Sequence, residues 1–135
     1  MAAIGVSGLM LVANQYRKAL GGTPGADDAS MRALRLVDGF VAARAAEKAV
    51  VARDPDTIRQ LSAGAASAYR SERGRALSAH GMTYEEYAAV RAAWRRWKTG
   101  KIVTEPGLAA AFRAREGALG DAEMGAIEPL DDGIR

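Results

Sequence analysis

Trp94-Arg95-Arg96-Trp97-Lys98 is the densest run of side chains in this chain that could recognise another molecule. Aromatic rings interleaved with guanidinium groups can stack on bases, lie in a lipid interface or anchor a protein contact. The competing reading is packing. Trp94 and Trp97 continue the spacing of Tyr87 and Val90, so one helical face carries all four, while Arg91, Arg95 and Lys98 line another. Glu85 and Glu86 stand on the same predicted helix and oppose a phosphate-binding face. Trp94, Arg95, Arg96 and Trp97 are therefore candidate contacts to a protein partner, and nucleic acid is not expected.

Catalytic chemistry has little to work with. His80 is the only histidine and cysteine is absent, so thiolate catalysis and thiolate metal sites are excluded. His80 falls in the last turn of a predicted helix, where a partly positive imidazole suits the helix C-terminus. Carboxylate pairs occur at Asp27-Asp28, Glu85-Glu86 and Asp131-Asp132. The first two sit at helix starts, which accounts for them, and Asp131-Asp132-Gly133 reads as a turn. No catalytic residue, metal site or cofactor is expected.

These groups must be positioned by helices. The chain of 135 residues is 49% hydrophobic but only 6% aromatic, and alanine supplies helix propensity with little buried area. The fold class is accordingly all-α: an apolar N-terminal helix, a bundle of about four helices, and an irregular acidic tail. Gly21-Gly22-Thr23-Pro24-Gly25 ends the first helix, giving an anchor at 1–20, a linker at 21–26, a bundle at 27–119 and a tail at 120–135.

The second predicted helix covers 27–52, with Met31, Leu34, Val37 and Val41 as its stripe and Leu36 and Phe40 beside it. The third covers 55–80, stopped by Gly81. Its apolar face is weak, and Gly64 and Gly74 suggest close packing or a kink. Thr83 and Glu86 form a capping box, flanked by Met82 and Tyr87, so a fourth helix starts at Tyr84 and ends near Lys98. A fifth is expected from Thr104 to Leu119. In the tail, Met124, Ile127, Leu130 and Ile134 recur at near-regular intervals, as candidate docking residues for a partner.

Charge is uneven. Residues 53–101 carry ten basic and five acidic side chains, whereas 116–135 carry six acidic and one basic. The acidic tail can fold back on the basic helices or meet a basic neighbour.

The first thirteen residues carry no charged side chain, and Tyr16-Arg17-Lys18 closes the run. Ile4, Leu9, Met10 and Val12 fall all round the helix, which demands burial in protein or lipid. Up to Tyr16 the helix reaches roughly 24 Å, a short span with Arg17 and Lys18 able to snorkel. A basic n-region is absent and Leu11-Val12-Ala13 is a poor cleavage site, which argues against a signal peptide. Ile4, Leu9, Met10, Val12, Tyr16, Arg17 and Lys18 are thus candidate docking residues for a bilayer or a partner. The positive-inside rule, resting on two charges, favours a cytoplasmic domain, with a periplasmic one as the alternative.

The combined expectation is a non-enzymatic accessory subunit that stabilises a bacterial membrane complex, photosynthetic or respiratory, with other subunits and lipid as partners. The alternatives are a soluble or periplasmic helical binding module, with a pocket near Tyr69, Tyr87, Trp94 and Phe112, and a nucleic-acid-associated basic helical protein.

Overall fold

The computed structural model describes residues 24–53, 56 and 63–135. The anchor helix at 1–20, with its docking residues Ile4, Leu9, Met10, Val12, Tyr16, Arg17 and Lys18, lies outside the described residues. The chain divides into two compact units, Met1–Arg32 and Ala33–Arg135. Of the first, only the opening turns of one helix are described. The second holds the packed core, and everything that follows concerns it unless stated.

Six α-helices and one 3-10 turn make up the described residues, with no strand among them. They are α1 (Pro24–Arg53), α2 (Ala63–Ala79), α3 (Tyr84–Lys98), α4 (Leu108–Ala114), α5 (Glu116–Asp121) and α6 (Glu128–Gly133), with the 3-10 turn at Gly125–Ile127. None of the described helices is long and apolar enough to cross a membrane.

Helix α1 opens at Pro24, inside the expected linker, because proline suits the first helical turn. Its buried stripe is Ala33, Leu36, Val37, Phe40, Ala43, Arg44, Glu47 and Val50. The expected stripe is shifted: Met31 is 69% exposed, and the buried face continues through two charged residues. Gly39 faces the α2–α3 link so closely that a Cβ there would lie 2.1 Å from Met82 Sδ and 3.1 Å from the His80 Cβ. Arg35 of α1 secures the same link by donating to the carbonyls of His80 (3.1 Å) and Gly81 (3.3 Å).

The α2 terminus is a Schellman motif. Met82 N–H donates to Leu77 O at 2.9 Å and Gly81 N–H to Ser78 O at 3.0 Å, with Gly81 at φ +63. Gly74 does not mark close packing: a Cβ there would meet nothing within 4 Å. The capping box of α3 forms as its residues dictate, Glu86 N–H reaching Thr83 Oγ1 at 3.1 Å and Thr83 N–H reaching Glu86 Oε1 at 3.0 Å.

The expected single fifth helix is broken. It begins after Gly107 (φ 78) and is interrupted at Arg115, whose Nε donates to Asp38 of α1 at 2.7 Å. The tail is not irregular either, since α6 occupies Glu128–Gly133 with a proline in its first turn. Six residues are too few for a helix to persist on propensity, so α6 exists because of what it touches.

Two cores result. One gathers Leu36, Val37, Phe40, Leu77, Tyr87, Val90, Trp94, Leu108, Phe112 and Leu119. Phe40 meets Trp94 edge-on at 5.3 Å between ring centroids, and Trp97 meets Phe112 at 5.6 Å. The other joins Val50 and Tyr69 to Met124, Ile127 and Ile134, with Leu130 partly buried beside them.

Candidate functional site

Linking the two cores is a cluster of charged and phenolic groups, buried at its centre and exposed at Asp132. Its members come from four helices: Arg44 and Glu47 from α1, Tyr69 and Arg73 from α2, Tyr87, Arg91 and Arg95 from α3, and Glu128, Asp131 and Asp132 from α6. Arg44, Glu47, Arg73 and Arg91 reach the interior because each occupies the apolar stripe of its own helix. Arg44 and Glu47 continue Phe40, Arg73 lies one turn beyond Tyr69, and Arg91 lies one turn beyond Tyr87.

Asp131, fully buried, is the centre. Its Oδ1 accepts from Tyr69 Oη at 2.7 Å, and its Oδ2 accepts from Tyr87 Oη at 2.8 Å and Arg91 Nη1 at 2.5 Å. Arg73 Nη1 stands 3.4 Å from Oδ1 and also donates to Glu47 Oε2 at 3.2 Å. Burial alone would raise the Asp131 pKa, but hydrogen bonds from Glu47, Tyr69, Arg91 and Tyr87 reverse that and hold it well below the usual carboxylate range.

Glu47 goes the other way. Burial, then the adjacent Asp131 carboxylate, pushes its pKa up to about 9, against the pull of Tyr87 and Arg73. Hydrogen counting agrees. The Tyr87 hydroxyl is 2.8 Å from both Glu47 Oε1 and Asp131 Oδ2, but it has one proton to donate. Both contacts are hydrogen bonds only if a second proton sits between Glu47 and the phenol. Burial first, then the facing carboxylates, drives the Tyr69 and Tyr87 hydroxyls upward and keeps both neutral.

Arg44 grips Glu128 with both terminal nitrogens, at 2.7 and 2.6 Å. Its guanidinium lies over the rings of Phe40 (5.0 Å) and Trp94 (5.3 Å), an aromatic face that favours a cation. Arg44 Nε is buried and without a hydrogen-bond partner among the described residues. Burial disfavours the Arg44 charge, and the bond to Glu128 more than offsets it, so its pKa rises. Glu128, also held by Arg95, is pulled down to about 2 against the opposing effect of its burial. Arg95 reaches Asp132 at 2.9 Å as well. This arrangement can fix a helix and hold a proton, with Asp131 fully buried at its centre.

Several expected site residues take other roles. Trp94 is a buried core residue, because its ring fills the space beside Phe40, and Trp97 is partly buried against Phe112. Arg95 and Arg96 are partly exposed but paired within the chain, Arg96 with Glu105 at 2.8 Å. Met124, Ile127, Leu130 and Ile134, expected to dock on a foreign partner, pack instead on this chain's own Val50 and Tyr69. Arg91, expected beside Arg95 and Lys98 on a face apart from the aromatic one, is buried on Asp131. Tyr69, Tyr87, Trp94 and Phe112 frame no open pocket; all four are buried, and Tyr69 belongs to the other core.

His80 keeps a helix-end position, its Nδ1 3.2 Å from Ala76 O. Among the described residues no group of acidic or histidine side chains could hold a metal ion. Sequence reasoning passed over Arg44, Glu47 and Arg73, and read Asp131 as part of a turn where the structure has a helix. The available signal was charge placed in register with the apolar stripe, which marks a buried ionic network.

Comparison with protein-family models, curated proteins and solved structures finds no match to this chain.

Proposed function

We propose that this chain is a non-enzymatic accessory module of a bacterial membrane complex, docked through residues 1–16 and carrying the helical unit as its protein-contact body. The observation that carries the reading is the way the buried ionisable groups satisfy one another. Asp131 takes hydrogen bonds from Tyr69, Tyr87 and Arg91, and Glu128 is clasped by Arg44. That is the chemistry of a lock between segments, whereas a catalytic site leaves a poised group facing substrate. The uncharged opening thirteen residues supply the docking element.

The nucleic-acid alternative has weaker support. Arg73, Arg91, Arg95, Arg96 and Lys98 each face an acidic side chain of this chain, which competes with phosphate for them.

Membrane fractionation of the full chain and of a chain lacking residues 1–16 tests the proposal. The full chain is expected in the membrane fraction, cross-linked to a defined neighbour, and the shortened chain in the supernatant. A full chain that stays soluble and monomeric without detergent would overturn the reading.

A further inference from the structure

Residues 123–135 relate to the rest of the unit as a ligand relates to its groove. Helix α6 is only six residues long and owes its fold to its surroundings. Its anchors Ile127 and Ile134 sit beside Val50 and Tyr69, and its acids Glu128, Asp131 and Asp132 are taken up by guanidinium groups from three other helices. Those donors are Arg44 of α1, Arg73 of α2, and Arg91 and Arg95 of α3.

The charges match in sign as well as position. The segment carries four acids and one arginine, a surplus of three negative charges. The surface beneath presents four guanidinium groups, and the one carboxyl among them, Glu47, holds a proton, so the surface is positive where the segment is negative. An acidic, aliphatic helix laid in a basic, apolar groove is a recurrent mode of peptide recognition. A glycine with φ +55, Gly125, stands at the entry to the segment, where the chain turns into the groove.

We propose that the groove lined by Arg44, Arg73, Arg91 and Arg95 is a recognition site for acidic, aliphatic partner helices, and that the chain's own C-terminal segment closes it as a competing intramolecular ligand. The inference rests on reading the chain as an accessory module and names the chemistry of the partner that module takes.

An occupant must place one carboxylate where Asp131 meets Tyr69, Tyr87 and Arg91. A second must stand where Glu128 meets Arg44 and Arg95, with aliphatic side chains at the positions of Ile127 and Ile134. Phosphate of a lipid or nucleic acid satisfies the first demand but supplies no aliphatic side chains at that spacing. A protein helix satisfies both. Binding in trans costs the displacement of the cis segment, so its apparent affinity is set by the fraction of molecules with the groove open.

The full chain is titrated with a fluorescein-labelled peptide of residues 122–135, read by anisotropy. Saturable binding is expected, tightening at least about tenfold in a full chain carrying Ile134→Ala, which loosens the cis ligand and keeps every arginine. The Asp132→Asn chain provides a second loosened ligand should Ile134→Ala reduce helix content by circular dichroism. A peptide carrying both Glu128→Gln and Asp131→Asn is expected not to bind. Absence of saturable binding to any folded full chain would overturn the proposal. Equal binding of a scrambled peptide, or equal displacement by an RNA oligonucleotide, would also overturn it by showing mere attraction of polyanions. Neither result alters the membrane fractionation outcome, so the two readings fail separately.

Discussion

The two cores solve the same problem by opposite means. Around Phe40, Trp94 and Phe112 the helices are joined by rings and aliphatic side chains, whose attraction is non-directional and indifferent to pH. Around Asp131 they are joined by directed bonds among charged and phenolic groups, with an apolar fringe of Val50, Met124, Ile127 and Ile134. The ionic region accepts a large desolvation cost that the apolar region avoids. In return it admits one partner geometry only, and so determines where a six-residue helix with no stability of its own must sit. Apolar packing makes this unit stable, and the ionic cluster makes its C-terminal segment specific.

The widest separation between the regions comes from a pair of substitutions. Asp131→Asn removes the buried carboxylate that Arg73 and Arg91 share and is expected to cost about 3–5 kcal/mol in urea unfolding. Phe112→Ala is expected to cost a similar ~3–5 kcal/mol through a cavity. They part on titration: the Phe112→Ala deficit stays constant with pH, and the Asp131→Asn deficit shrinks in acid as the wild-type carboxylate protonates. Equal pH profiles for the two would erase the distinction.

Glu47→Gln sharpens the comparison from the alkaline side. The folded chain holds a proton on Glu47 up to about 9, from an ordinary value of 4.5. That contribution is complete below the ordinary value and is lost as pH rises toward about 9. Asp131 and Glu128 are depressed, so theirs is present above the ordinary carboxylate range and lost as pH falls through their folded values. The variant, a mimic of the protonated carboxyl, is expected to gain stability relative to wild type between about pH 5 and 9. A constant difference across that range would show Glu47 ionised in the fold.

Gly39→Ala probes the apolar side. The new methyl overlaps Met82 Sδ, which is buried in the apolar core, so about 1–3 kcal/mol of destabilisation is expected in thermal melts. Gly74→Ala is the smallest effect and the opposite sign. The methyl meets nothing, and roughly 0.5–1 kcal/mol of stabilisation is expected from reduced backbone freedom.

Local chemistry was legible where one residue answers its near neighbours. The Thr83–Glu86 box and the Gly81 stop depend on atoms a few residues apart, and both form as written. The fold-back of the acidic tail was one of two readings of the charge asymmetry, and Asp131 and Glu128 realise it. The break at Arg115 was not legible, because it depends on Asp38 of a distant helix, whereas the packing of Trp94 was one of the readings of its spacing and Phe40 realises it.

Alanine propensity, glycine stops and capping side chains dictate that this chain is helical and where three of its helices start or end, since those forces act within a turn or two. Tertiary packing alone decided that Arg44, Glu47, Arg73 and Arg91 turn inward and that residues 128–133 become a helix. A charge on an apolar stripe is costly until its counter-charge arrives, and here that counter-charge comes from the far end of the chain.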